Sequence, residues 1–436
     1  MKRYFSLLLC AMLCIGITGC SKESGSIETQ VSNKSSVTES TYEASENSKN
    51  ESDEPSDTKE KVENMMEIVD KDGRYIGHIP FNSGMTLTNS GIFYTTTILL
   101  NDSSPDTIAV GLNEGEKNVI VYHLYDIKTD ESYDFGSIPD QDYEAGYCRT
   151  ELNGKLYNLI TTGNVMDKEP DPLLLAEFDL AEHTINQYSI SDNGFPYTAM
   201  AEVNGKLLIL NHDQTDVLHD KLYLFTPENK QTEQVMQFEL NGNTGDTIRS
   251  MYSDGKNIYI LRLHFEGENN VTMYIDTYDL DFKKQSERDI SAMLKDSAGI
   301  NLVPEDVANE IKQMVSRFMV MDEKYVYYEN FSATRFLGNI EDGKLFSETE
   351  GAGDTFLAST GSGDPFFYCI FGGEKNENSI FEWKNGTLEK TVFKADDDRY
   401  YMTAASRSPD GKTLIQVAYA NPEDRNDTLP TKIYYY

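Results

Sequence analysis

The chain has 436 residues, with 38 basic and 73 acidic side chains and a formal charge of −35. That balance excludes a nucleic-acid binder, which needs a cationic footprint. No repeated apolar runs of about twenty residues are present, which excludes a multispanning membrane protein, and five cysteines are too few for a disulfide scaffold. Aromatic residues make up 11% of the chain, enough to supply a core and to argue against wholesale disorder.

Lys2 and Arg3 precede a mostly apolar run from Tyr4 to Ile17. The run is too short to span a bilayer comfortably, and its length fits the apolar region of a signal peptide. It ends Ile17-Thr18-Gly19-Cys20: small residues before a cut, then a thiol able to take a lipid. This motif resembles the lipobox of bacterial lipoproteins. The resemblance implies removal of residues 1–19 and attachment of diacylglyceryl and fatty acyl chains such as palmitate at Cys20. The mature protein is then extracytoplasmic and anchored to membrane lipid of a bacterial cell, since two or three acyl chains hold a protein stably. An ordinary secretory signal with a chance cysteine is the alternative.

Residues 20–64 follow as a linker. Positions 21–64 hold eleven Ser, eleven acids and five Lys, with apolar residues scattered singly. Such a segment cannot bury enough surface to offset its conformational entropy, so it reads as a disordered stalk with a span of roughly 35–40 Å.

The remainder, 65–436, is expected to be one all-β domain. Its periodicity is mostly two, in short strands separated by Gly, Asn and Asp turns. One turn recurs: Asn153-Gly154-Lys155-Leu156-Tyr157, Asn204-Gly205-Lys206-Leu207-Leu208, and Asp254-Gly255-Lys256-Asn257-Ile258-Tyr259. Ser90-Gly91, Asp322-Glu323, Gly363-Asp364 and Pro409-Asp410-Gly411-Lys412 extend the series, giving seven anchors at about 53 residues each. After each anchor comes an apolar strand with an aromatic, then a polar turn and a further strand. Before it lies a strand with small residues, such as Ala199 and Ala201, Ala358 and Ser359, or Ala404, Ala405 and Ser406. Four strands per unit at this period predict a seven-bladed β-propeller; six or eight blades fit the same pattern. Small residues suit the innermost strands, where blades crowd the axis.

The Ser408-Pro409-Asp410-Gly411-Lys412 turn resembles that of TolB-like and WD40-like bacterial propellers, and the Asn-Gly-Lys-Leu turns are similar to those of YncE-like and quinoprotein-like propellers. The resemblance implies a fold and none of those families' activities. The last unit, with strands at 400–406, 413–419 and 432–436, stops one strand short. Residues 65–79 are expected to complete it and hide both edges, or to form a separate hairpin about Asp72-Gly73. The fourth and fifth anchors are 68 residues apart, and apolar residues at 303, 307, 311 and 314 behind Pro304 predict a helical insertion over 303–314.

Catalytic chemistry is hard to find. The six histidines lie beside no nucleophile-elbow motif. His212, Asp213, Asp216, His219 and Asp220 have metal-ligand chemistry, but the spacing reads as a solvated polar loop. No metal or cofactor is expected; Ca²⁺ at Asp396-Asp397-Asp398 is the alternative. Cys148 and Cys369 fall in distant units and read as free buried thiols.

Arginine carries the clearest hint. Arg149, Arg249, Arg317 and Arg407 fall on predicted inner strands, which line the axial channel. A guanidinium fork matches carboxylate or phosphate, so an anion-binding channel is one expectation; pairing of each Arg with a neighbouring acid is the other. Counting back from the glycines places Arg249 and Arg407 on one strand face and Arg149 on the opposite one. Tyr143, Tyr147, Tyr197, Asp246, Asp354, Asp398 and Tyr400 lie in or near loops leading into inner strands and are candidates for a ligand-binding face. The functional expectation is a monomeric cell-surface protein that binds or scaffolds an unknown protein, peptide or glycan. The alternatives are a carbohydrate- or lactone-active enzyme with a site at the channel mouth, and a structural subunit of an envelope complex.

Overall fold

Alternating apolar and polar residues between tight turns give strands almost throughout. The computed structural model describes residues 65–80, 85–101, 116–138, 141–144, 149–162, 171–194, 199–214, 218–297, 315–330, 334–345, 356–369, 378–419 and 429–436. The signal and linker segments, Cys20, Cys148, Tyr147, Tyr197, Asp354 and the 303–314 helix lie outside the described residues.

The first sheet holds β3 (Thr86–Thr88), β4 (Gly91–Asn101), β5 (Glu116–Asp126) and β6 (Glu131–Ser137), in that order; β1 (Met65–Asp70) and β2 (Tyr75–Pro80) belong to the last sheet. In the second, β9 (Lys155–Thr162), β10 (Asp171–Asp179) and β11 (Thr184–Gly194) are neighbours, and β7 (Gln141–Glu144) and β8 (Thr150–Leu152) both pair with β9. An eight-stranded sheet runs from β12 (Met200–Val203) through β13 (Lys206–Gln214), β14 (Leu218–Thr226), β15 (Gln231–Asn241), β16 (Thr244–Ser253), β17 (Asn257–Glu266) and β18 (Val271–Asp279) to β19 (Lys284–Asp289). A three-stranded sheet of β20 (Val315–Met321), β21 (Tyr325–Asn330) and β22 (Arg335–Asn339) follows, and then a four-stranded one of β23 (Phe356–Ala358), β24 (Phe366–Cys369), β25 (Ser379–Lys384) and β26 (Thr387–Val392). The last sheet joins β27 (Tyr400–Arg407), β28 (Thr413–Tyr419) and β29 (Lys432–Tyr435) to β1 (Met65–Asp70) and β2 (Tyr75–Pro80), in the order β2-β1-β29-β28-β27.

Position within a sheet explains composition. Second strands such as β17 are buried on both faces and read as continuous apolar runs, Ile258 to Leu263 interrupted only by Arg262. Outermost strands such as β19 and β26 are polar and exposed. The recurrent turns need positive φ at two successive residues, and Asn153-Gly154 and Asn204-Gly205 supply it (φ 54° and 75°, 51° and 74°).

Apolar clusters bridge successive sheets. Tyr157, Leu159 and Leu175 meet Leu207, Ile209 and Phe225; Phe366, Tyr368 and Ile380 meet Met402, Ile415 and Tyr434. The circuit closes where Met66, Ile68, Ile79 and Ile433 of the last sheet pack on Leu87, Ile92 and Tyr94 of the first. Innermost strands stand side by side: β27 beside β3, β8 beside β12, β12 beside β16, and β16 beside β20. Sheets stacked face to face in a circle with their first strands at the centre make an all-β propeller.

Three expectations need adjustment. Seven blades were expected, whereas the described residues give five sheets of four or more strands and one of three. Residues 65–79 were expected either to join the last sheet or to form a hairpin, and they do both: β1 runs parallel to β29 from Glu67–Lys432 to Asp70–Tyr435, while β2 folds back on β1. Among the described residues the helix is α1 (Ser291–Ser297), which buries Met293 and Leu294 between β17–β18 and β20–β22. Ile290, just before the helix, and Met293 and Leu294 within it share its buried side.

The seam makes a testable demand. Ile68 is fully buried in it, so Ile68→Ala is expected to cost about 2–5 kcal/mol in urea denaturation. A loss below about 0.5 kcal/mol would show that the seam does not hold the ring.

Candidate functional site

The axial space contains a cavity of about 460 Å³. Its wall is built from the inner strands β8, β12, β16 and β20, and the Gly361–Pro365 turn between β23 and β24 also lines it. Small and hydroxyl side chains dominate where the strands crowd, including Thr150, Ala199, Ala201, Ser250 and Ser316. Three of the four arginines singled out from the sequence, Arg149, Arg249 and Arg317, line it as well.

The arginines differ in what holds them. Arg149 donates from Nη1 to Thr86 Oγ1 at 3.1 Å and lies over the Phe93 ring, with its guanidinium carbon 5.1 Å from the centroid. Arg317 donates from Nη1 to the Ser359 carbonyl at 3.0 Å. Arg249 is half-buried, yet its Nε is shut off from solvent without a hydrogen-bond partner. Burial pushes its pKa down, against the opposing pull of the Asp220 charge. Asp220 makes no hydrogen bond to Arg249 and is bonded to other groups instead. Its Oδ1 is bonded to His212 Nδ1 at 2.6 Å, and its Oδ2 accepts from the Thr247 hydroxyl and the Ile248 N–H, both at 2.5 Å.

Strand parity misassigned these side chains. The ladder between β16 and β17 slips between Ile248 and Ser250, leaving Arg249 as the extra residue of a bulge. A bulge resets the alternation of faces, so counting back from Gly255 fails. Arg407 does not line the cavity. Its Nη2 donates to Glu382 Oε1 at 2.8 Å, its Nε donates to Thr413 Oγ1 at 3.2 Å, and it covers the Phe366 ring. For Arg407, pairing with a neighbouring acid is the outcome.

The Thr360–Pro365 turn, which carries the Gly363-Asp364 anchor, ties the sheets together at the axis. Thr360 exchanges backbone hydrogen bonds with Ala405 and Arg407, and the Ser362 hydroxyl accepts from the Glu151 N–H at 2.6 Å. The Glu151 carboxylate in turn accepts from the Asn89 N–H at 2.9 Å, and Asn89 accepts from the Asp410 N–H. The turns of four sheets are thereby tied together at this end of the axis. The turn passes so close to β27 that a Cβ at Gly361 or Gly363 would lie 2.3 or 2.2 Å from the Arg407 or Ser408 carbonyl.

The remaining candidates are held elsewhere. Asp246 accepts from Arg262 Nη1 at 2.5 Å and sits 2.9 Å from His264 Nδ1. Tyr400 is buried against Tyr419, with its hydroxyl donating to the Pro430 carbonyl; it belongs to the core, not to a ligand face. Asp398 is exposed, while Asp396 binds Lys432 and Tyr434 and Asp397 binds Arg399. Two of the three carboxylates proposed for Ca²⁺ are therefore already engaged. Tyr143 lies on β7 opposite Thr161. His212, Asp213, His219 and Asp220 sit on the β13–β14 hairpin, not in a solvated loop, and His212 and Asp220 are buried together. Among the described residues no group of three or more His, Cys, Asp or Glu is arranged to hold a metal ion, and Cys369 is a buried free thiol.

Buried carboxylates elsewhere are structural. Glu177 accepts from Lys155 at 2.7 Å, Tyr157 at 2.9 Å and, across the sheet interface, Lys230 at 2.5 Å. Burial raises its pKa, but these donors outweigh it and hold the carboxyl at about 2. Arg262 likewise binds Asp276, Asp246 and Glu287.

The fold and cavity thus define an all-β propeller with an arginine-bearing axial cavity. No protein-family model and no curated protein matches the chain. Among solved structures it is similar to the β-propeller domain of the trilobed protease from Pyrococcus furiosus, described as having an open velcro topology (12% identity, TM-score 0.44, 81% of this chain and 94% of that one). It is also similar to Pyrococcus horikoshii acylaminoacyl peptidase (12%, 0.44, 81% of this chain and 51% of that one) and to a chain of a mitotic checkpoint complex (10%, 0.36, 69% and 84%). The fold assignment rests on the strand pairing described above.

Glu177 sets a pH expectation. Its folded pKa lies below the ordinary carboxylate value of about 4.3, so its contribution is present above that value and lost as pH falls toward 2. Tm measured from pH 6 to pH 2 is expected to show wild type well above Glu177→Gln at pH 6, with the gap closing at the acid end. A gap independent of pH would contradict this.

Proposed function

We propose that this chain is a lipid-anchored binding protein on the outer face of a bacterial cell membrane. Acylated Cys20 holds it to lipid, residues 21–64 set it off from the surface, and the propeller presents a ligand site at its axis. The observation that carries the binding reading is the cavity of about 460 Å³, walled by Arg149, Arg249 and Arg317. Its size falls within the range of small-ligand pockets, and a ring of sheets can present such a site without any catalytic group.

The same proposal counts seven blades. The eight-stranded sheet divides naturally into β12–β15 and β16–β19, because only Leu240–Gly245 and Asn241–Thr244 pair across the junction. Among the described residues, seven apolar clusters, each between consecutive units, support the count. Likeness to TolB-like or YncE-like propellers is proposed on the recurrent turns alone.

Two measurements test this reading. Cys20→Ser is expected to move the protein from the membrane fraction to the soluble extracytoplasmic fraction; retention in the membrane would contradict lipid anchoring. A thermal-shift screen of the full chain against peptides, glycans and small metabolites is expected to find a saturable ligand. A ligand at a hundred times its Kd stabilises by about 2.7 kcal/mol. A blank screen would contradict binding.

A further inference from the structure

We infer that the axial cavity takes a small organic oxyanion, a carboxylate or a phosphate, gripped by the Arg249 guanidinium with Arg317 and Arg149 beside it. The inference rests on the binding reading above and names the chemistry of its ligand.

Charge bookkeeping at the cavity leads there. The protein is strongly acidic overall, and two arginines away from the cavity are matched by acids: Arg262 meets three carboxylates, and Arg407 meets Glu382. Arg249 makes no hydrogen bond or ion pair among the described residues, although Asp220 is close enough to act on it electrostatically. Asp220 is already occupied by His212, Thr247 and Ile248. A guanidinium held near a carboxylate that is kept occupied by other donors retains its fork for something that enters the cavity.

Two of the three acids on the cavity wall accept hydrogen bonds from nearby turns. Glu202 Oε1 accepts from the Gly205 N–H at 2.6 Å. Asp254 accepts from the Lys256 and Asn257 N–H groups and from the Tyr259 hydroxyl. Asp364 is exposed on the turn. None of these acids is hydrogen-bonded to Arg249, so its guanidinium is the group on the wall open to an incoming oxyanion, while the acids keep their charges. Arg317 spends one nitrogen on the Ser359 carbonyl, which fixes the side chain while leaving further N–H groups.

The rest of the lining sets the ligand's character. Met200, Met251, Phe318 and Met319 contribute apolar surface, while Ser250, Ser316 and Ser362 contribute hydroxyls. A ligand with one or two oxyanion groups on a short carbon frame satisfies both. Bidentate pairing with a planar guanidinium favours such groups over a halide or a neutral amide.

The test is isothermal titration calorimetry on the full chain at constant ionic strength, with succinate, citrate and inorganic phosphate as probes. Succinamide, chloride and a neutral disaccharide serve as controls. Saturable one-to-one binding of at least one oxyanion probe is expected, with none by succinamide or chloride, and the succinate and phosphate arms distinguish carboxylate from phosphate recognition. Arg249→Met is expected to weaken that binding by tenfold or more, the scale of a hydrogen bond to a charged group. Because it removes an unpaired, partly buried charge, its Tm should match or exceed wild type, which separates lost binding from lost folding. Arg249→Lys, which keeps the charge without the fork, is expected to recover only part of the affinity. The inference is overturned if no oxyanion binds, or if Arg249→Met binds as wild type does. If the disaccharide binds in the cavity and the oxyanions do not, the binding reading stands and this inference fails.

Discussion

The parallel pairing of β1 with β29 turns a row of sheets into a ring. Glu67 to Asp70 lie beside Lys432 to Tyr435, so the first and last described strands of the chain share one sheet. Without that seam the first and last sheets would each present an apolar face to water, the surface now shared by Met66, Ile68 and Ile79 with Leu87, Ile92 and Tyr94. Burying side chains of this kind is worth roughly 1.5–3 kcal/mol each. The axial cavity is a consequence, because inner strands converge only when the circuit is complete.

Within the ring, charge is handled locally. Some acids, such as Glu233 and Glu239 on β15 and Glu287 and Asp289 on β19, sit exposed to solvent, where their charges are screened. The few that are buried are surrounded by donors, often from other strands. Lys230 reaches Glu177 from β15's turn in the next sheet, and within the eight-stranded sheet Thr247 and Ile248 reach Asp220 from β16, two strands away. Such bonds fix the relative position of strands where apolar contact alone would allow sliding. Against that background a guanidinium without a partner is an exception, and exceptions of this kind gather at binding sites more often than in structural cores.

Much of the architecture was legible because it repeats. Glycine-bearing turns every fifty residues mark the same corner of each unit, and Ala201, Ala358 and Ala405 mark the strands nearest the axis. The closing role of residues 65–79 followed from a missing strand in the last unit. The site was legible only in part. Residue type pointed to Arg149, Arg249 and Arg317, but not to which of them would be satisfied. That depends on whether Asp220 is occupied, which follows from pairing across three strands distant in sequence. Parity placed Arg149 and Arg249 on opposite faces, because a bulge leaves no mark in composition. His212 and Asp220 read as a solvated loop because polar spacing resembles a turn; their mutual bond and the donors from β16 make their burial affordable. Aromatics near the loops suggested a ligand face, yet Tyr400 is core, since its hydroxyl finds the Pro430 carbonyl.

Native-state hydrogen exchange read at the seam addresses ring closure most directly. If β1 completes the ring, the amides of the β1–β29 ladder, Ile68 and Ile433 among their neighbours, exchange with the same opening free energy as the central strands β13 and β17. They should then respond to denaturant with the same slope, as parts of one cooperative unit. Exchange of the β1 amides at low denaturant, while β13 and β17 remain protected, would mean that the seam opens by itself, and the closed ring on which the axial site depends would have to be abandoned.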